Sequence, residues 1–98
     1  MSTIAVLDLE FKPDQLDAAR TVMRRVLVET RNFDGCLGVE AFQDPENSAR
    51  WVLFERWASP EHDAAYRTFR AGPGAITDLA TLLAAAPSLK MFTEPIPI

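Results

Sequence analysis

Hydrophobic residues recur with two different periods along this chain, and the switches between them lay out its elements. Thr3–Phe11 is aliphatic and alternates in its C-terminal half, Leu7, Leu9 and Phe11 against Asp8 and Glu10, as a strand with two unlike faces does. Lys12-Pro13-Asp14 ends that strand and opens a helix: proline has no N–H to lose in a first turn, and Asp14 and Asp17 sit near the positive end of the helix dipole. Leu16, Ala19, Met23, Val26, Leu27 and Thr30 then form one apolar stripe on a helix that runs to about Arg31. Asn32-Phe33-Asp34-Gly35 stops it, with glycine available for a positive φ. Cys36–Gln43 returns to strand character. The polar, turn-rich Asp44–Ser48 predicts an antiparallel hairpin into the next strand.

That strand, Arg50-Trp51-Val52-Leu53-Phe54-Glu55-Arg56-Trp57, departs from simple alternation. Trp51, Leu53, Glu55 and Trp57 share one face and Val52, Phe54 and Arg56 the other; both are largely apolar, which predicts cover on both sides. Glu55 is the odd member, because an ionised carboxylate between Leu53 and Trp57 is costly to bury unless something bonds to it. It is either a satisfied structural acid or part of a site. Downstream, Ser59 as cap, Pro60 in the first turn, and Glu61 and Asp63 near the N-terminus start a second helix. Ala64, Ala65, Thr68 and Phe69 suggest its inner stripe, and Ala71–Gly74 stops it. Ile76, Leu79, Leu82 and Leu83 stand at helical spacing and predict a further short helix over Ala75–Ala86. Ser88–Thr93 is a last strand, and Glu94–Ile98 is an apolar tail punctuated by prolines.

The order is β-α-β-β-α-(α)-β, an α+β chain of the ferredoxin-like kind in which two helices cover one face of a four-stranded antiparallel sheet. Residues 1–98 make a single domain, with neither a repeat nor a linker to divide them. The helices cover only one sheet face, while Leu37, Val39, Phe42 and the third strand put apolar side chains on both. A homodimer packed through the sheet is therefore expected.

Composition excludes several classes of function. A net charge of −4 and a pI near 4.8 argue against nucleic acid as a partner, and Arg20, Arg24, Arg25 and Arg31 read as the wet face of the first helix. Cys36 is the sole cysteine, so no internal disulfide forms and a reducing cytoplasm is the natural setting. The first apolar run is broken by Asp8, which is unlike a signal peptide, and no run reaches the ~18 apolar residues of a membrane span. One histidine and one cysteine cannot assemble a metal or haem ligand set, and no glycine-rich phosphate loop is present, so no cofactor is expected. His62, in the first turn of a helix, reads as a solvated residue, and Cys36 as a strand filler with nothing nearby in sequence to lower its pKa.

Phe33-Asp34-Gly35-Cys36-Leu37, a polar Asp-Pro turn, then Trp51-Val52-Leu53-Phe54-Glu55-Arg56-Trp57-Ala58-Ser59 ahead of a helix start together resemble the antibiotic biosynthesis monooxygenase family. The likeness covers nearly the whole chain, and its sharpest local motif is Glu55-x-Trp57. It implies the dimeric α/β barrel: homodimers whose bare sheet faces meet, with a small cleft between each sheet and its helices. Several such proteins oxidise phenolic or quinol-type substrates with O2 and without metal, flavin or haem; others have no known activity. Many carry a histidine on the helix where this chain has Tyr66. The haem-degrading branch pairs a tryptophan at this point with a histidine ten residues later and an asparagine in the first strand; Tyr66, Ile76 and Thr3–Phe11 supply none of these, so haem degradation is not expected.

Deprotonating an electron-rich phenol or anthrone gives an anion that can pass an electron directly to O2. Such a site needs an apolar aromatic pocket, one base and something to steady the oxyanion. Glu55 is the candidate base if burial raises its pKa, with Trp57 and Tyr66 able to stack on or hydrogen-bond to a small aromatic substrate. Trp51, Leu53 and Phe69 are the candidate substrate-binding residues, although Trp51 and Trp57 read equally as core or interface aromatics and Phe69 reads more as plain core. A non-catalytic small-ligand-binding dimer and a lactone isomerase-like enzyme on the same fold remain open. The spacing leaves undecided whether Glu55 and Trp57 face the helices or a dimer interface.

Overall fold

Each alternating stretch forms a strand. In the computed structural model, which describes residues 2–98, the order is β1 (Thr3–Glu10), α1 (Leu16–Arg31), β2 (Cys36–Asp44), β3 (Asn47–Trp57), α2 (Pro60–Ala71) and β4 (Ser88–Thr93). The strands make one antiparallel sheet in the order β2-β3-β1-β4, the ferredoxin-like arrangement. Asp44 pairs with Asn47, so the hairpin turn is reduced to Pro45-Glu46, whose Glu46 N–H donates to Asp44 Oδ1 at 2.8 Å. A single turn of 3₁₀ helix, Pro13–Gln15, leads into α1, and Ala19, Val22, Met23, Val26 and Thr30 are its buried stripe.

β3 decides how the sheet is covered. Trp51, Leu53, Glu55 and Trp57 are buried on the helix side, while Arg50, Phe54 and Arg56 are exposed on the other. The buried residues fall into two clusters along the strand. Trp51 and Leu53 pack with Leu9, Phe11, Val22, Met23 and Val26 at one end; Trp57 packs with Ala5, Tyr66, Phe33 and Phe69 at the other. On the uncovered face Phe42, Phe54 and Phe92 remain about half exposed. Among the described residues no helix is long and apolar enough to cross a membrane.

Two expectations are corrected. The short helix over Ala75–Ala86 does not form; only Ala80–Leu82 makes a 3₁₀ turn. Its backbone groups go elsewhere. Lys12 N–H donates to Leu82 C=O and Ala84 N–H to Glu10 C=O, both at 2.8 Å, so the segment zips onto the end of β1 instead of closing its own helical bonds. Leu82 is still buried, and Ile76, Leu79 and Leu83 pack against the core; their spacing reported burial correctly and hydrogen bonding wrongly. The inner stripe of α2 is also different. Ala64, Ala65 and Thr68 are exposed, and Asp63 and Tyr66 are the buried residues.

The turn at the end of α1 requires glycine. Gly35 has φ +85°, and a Cβ there would lie 2.2 Å from the His62 ring, which Ser59 holds over it through Ser59 Oγ and His62 Nδ1 at 2.7 Å. Ser59 also caps α2 by accepting from His62 N–H, and Ala58 N–H donates to Gly35 C=O at 2.8 Å. Gly35→Ala is therefore expected to cost more than about 1 kcal/mol, from the strained φ and the clash together. Chemical denaturation with an unchanged midpoint would contradict this.

Candidate functional site

A buried carboxylate must find partners, and Glu55 finds them at one oxygen. It is 2% exposed; Trp57 Nε1–H donates to its Oε1 at 3.2 Å, and Arg67 Nη2 from α2 forms a short ion pair with the same oxygen. Arg67 is fixed in turn by Asp63, one helical turn earlier, through Nε at 3.3 Å and Nη2 at 3.0 Å to Oδ1. Burial opposes the charge on Arg67, but Glu55 and Asp63 more than offset it and hold the guanidinium above its ordinary pKa. Glu55 Oε2 makes no hydrogen bond among the described residues.

A concavity of about 480 Å³ lies at the β2 side of the sheet. Arg31, Val39 and Glu55 line it together with Phe42, Phe54 and Arg56, the last two from the uncovered face of β3. Two features of β2 open it. The β2–β3 register slips between Cys36 and Gly38, and Gly38 stands opposite Arg56 with nothing within 4 Å of where a side chain would be. Arg31 Nη2 donates to Val39 C=O at 3.1 Å, whereas the Arg56 guanidinium has no hydrogen bond or ion pair among the described residues.

Behind Glu55 lies an aromatic cluster. The Trp57 and Tyr66 rings are 4.8 Å apart and tilted by 33°, with Phe33 edge-on to both. The Tyr66 hydroxyl lies 2.7 Å from Thr30 Oγ1 and accepts from Arg70 Nε at 2.8 Å, so it joins α2 to α1. Arg70 continues the joint through Glu29 and the Gly74 carbonyl, each at 3.0 Å. Of the residues expected from sequence, Glu55, Trp57, Tyr66 and Phe69 are thus brought together. Trp51 and Leu53 are not: Trp51 packs 4.8 Å from Phe11 in the other cluster, and its Nε1–H donates to Ser48 C=O at 3.0 Å. None of Trp51, Leu53 and Phe69 lines the 480 Å³ concavity.

Residues 3–75 match the model of the antibiotic biosynthesis monooxygenase family. The chain belongs to that family. The matched span runs from β1 through α2 and so contains every residue of the Glu55 cluster, while β4 and the tail lie beyond it. No curated protein matches the chain. Among solved structures it is similar to Rv0793 from Mycobacterium tuberculosis, at 19% identity and a TM-score of 0.83 over 98% of this chain and 97% of that one. A conserved protein from Methanosarcina mazei aligns with a TM-score of 0.85 at 15% identity, covering 97% of this chain and 94% of that one. A structure described as an antibiotic biosynthesis monooxygenase aligns at 0.80 with 19% identity, over 99% of this chain and all of that one, 100%. At these identities the likeness is one of fold.

Within this family's fold, the residues that sequence reasoning missed are Asp63 and Arg67. The signal was present in their four-residue spacing, which puts a carboxylate and a guanidinium on one helix face, opposite a strand carboxylate in need of a cation. Among the described residues no three His, Cys, Asp or Glu side chains are grouped as a metal site.

Proposed function

We propose that this protein is a cofactor-independent monooxygenase that oxidises a small phenol, anthrone or quinol with O2, using Glu55 as its base. The observation that carries the reading is Glu55 itself: a buried carboxylate held at Oε1 by Trp57 and Arg67, in a residue that lines a concavity with Phe42 and Phe54. A substrate held in the concavity gives up its acidic proton to Glu55. The resulting anion transfers one electron to O2, the substrate radical and superoxide combine at carbon, and the peroxide loses water to leave a carbonyl. The overall change is CH2 + O2 → C=O + H2O, and Glu55 returns its proton to the departing oxygen. Arg31 and Arg56 supply positive charge for the substrate anion at the wall. Trp57 steadies Glu55 through its indole N–H, and Tyr66 supports Trp57 from behind.

The experiment is oxygen uptake by the purified protein with hydroxylated anthrones and quinols and no added cofactor. One O2 consumed per substrate, without accumulating peroxide, is expected. Binding of the panel with no uptake above the buffer rate would overturn the reading in favour of a ligand-binding dimer.

The same reading includes a second copy of the chain on the uncovered sheet face. Phe42, Phe54 and Phe92 are there about half exposed, and a soluble domain of this size seldom leaves such a surface open. The copy would roof the concavity, since Phe42, Phe54 and Arg56 belong to both. Light scattering at micromolar concentration is expected to give twice the chain mass of 10.9 kDa, and a stable monomer contradicts it.

A further inference from the structure

Pairing register arranges the uncovered sheet face in rows that run across all four strands. One row is Gly38, Arg56, Ile4 and Phe92; the next is Glu40, Phe54, Val6 and Lys90. Both rows are lopsided. Gly38, on the β2 edge, has open space where a side chain would be, whereas Phe92, on the β4 edge, is 53% exposed. In the next row Glu40 and Lys90 stand on opposite edges with Phe54 and Val6 between them, and neither has an ion pair among the described residues. Three strand spacings of ~4.8 Å separate these two charges, too far for them to meet within one chain.

The inference rests on the reading that a second copy of the chain covers this face. Aligned packing of two sheets leaves two choices of two-fold axis, across the strands or along them. An axis across the strands sets Arg56 over the partner's Arg50 and Val6 over the partner's Asp8, a like-charge contact and a carboxylate on an aliphatic side chain. An axis along the strands keeps every row over itself and, centred between β1 and β3, exchanges the two edges. Glu40 then faces the partner's Lys90 and Gly38 faces the partner's Phe92, each pair occurring twice by symmetry. Facing sheets stand ~10 Å apart and their side chains fill the gap, so a position with no side chain calls for a large one opposite. Gly38 and Glu40 both line the 480 Å³ concavity. We propose that the second copy is related by the axis along the strands and sets its Phe92 into the concavity over Gly38, with its Lys90 on Glu40, so that each site is completed by residues of the other chain.

The test is sedimentation equilibrium of the full chain in wild type, Glu40→Lys, Lys90→Glu and the double exchange. Glu40 and Lys90 are exposed in the single chain, so its folding does not depend on them. Each single reversal should raise the dimer dissociation constant about tenfold or more by setting like charges together, and the double exchange should return it to within about threefold of wild type. That rescue reports only a contact between copies. Single variants that associate like wild type, or a double exchange no better than the weaker single variant, overturn the proposal. Gly38→Leu tests the other contact, since the added side chain meets nothing within 4 Å in its own chain. It should weaken the dimer about tenfold in the wild-type background and hardly at all in the Phe92→Ala background; equal weakening in both removes the partner's Phe92 from the site. A monomeric wild type brings down the second-copy reading and this inference together, whereas a wild-type dimer indifferent to the charge exchanges brings down this arrangement alone. None of these measurements uses turnover, so the result of the oxygen-uptake experiment does not decide them.

Discussion

Glu55→Gln is expected to lower oxidation of a hydroxylated anthrone by about 10²- to 10⁴-fold while leaving the protein folded. The amide keeps the size of the carboxylate and still offers an oxygen to Trp57 Nε1–H and Arg67 Nη2, so the hydrogen-bonded frame survives. What it loses is the ability to take a proton at the second position. Arg67 does not become an orphan, because Asp63 still accepts from it at 3.0 Å and 3.3 Å. The stability cost should accordingly fall below the ~3–5 kcal/mol of a buried pair broken outright. Glu55→Ala is the harsher change, since it also leaves the Trp57 indole N–H in the core without an acceptor, a further ~1–3 kcal/mol. Oxygen uptake and thermal unfolding on the same preparations separate the two effects. Wild-type turnover in folded Glu55→Gln would remove Glu55 from the chemistry.

The elements differ in how much of their structure is local. The strand around Trp51–Trp57 was readable because period-two burial is local: the same alternation that put Glu55 with Leu53 and Trp57 placed all of them under the helices. Only the choice of face needed the fold. α2 was misread because hydropathy ranks alanine above aspartate and tyrosine, and the real inner face is polar. Asp63 is buried there because Arg67 satisfies it while also reaching Glu55, a partnership across two elements that periodicity does not see. The concavity was invisible for a different reason. It depends on a one-residue slip in β2–β3 pairing near Leu37 and on the bare Cα of Gly38, and pairing register is a tertiary property. The leucines of 75–86 lie between these cases, since their burial was legible and the capture of their backbone by the end of β1 was not.

Trp57→Ala is expected to be the most damaging single substitution at this site, and to damage stability first. Trp57 is fully buried at 0% exposure, stacked 4.8 Å from Tyr66 and edge-on to Phe33, in the smaller of the two core clusters. Removing a buried indole typically costs ~3–5 kcal/mol, and in a domain this size each kcal/mol lowers Tm by about 4–8 °C. The loss should therefore exceed about 12 °C. Activity falls as well, because Glu55 loses one of the two groups that hold Oε1 and the wall behind it collapses. Trp57→Phe separates the two contributions: it keeps most of the ring contact and deletes the N–H, so stability should recover more than turnover does. Tyr66→Phe is expected to show the reverse pattern. Its hydroxyl is engaged by Thr30 and Arg70 rather than by the concavity, so its loss loosens the joint between α1 and α2, at ~1–3 kcal/mol, with turnover close to wild type. A Tyr66→Phe protein with wild-type Tm and much reduced turnover would mean that the hydroxyl leaves this joint to meet the substrate.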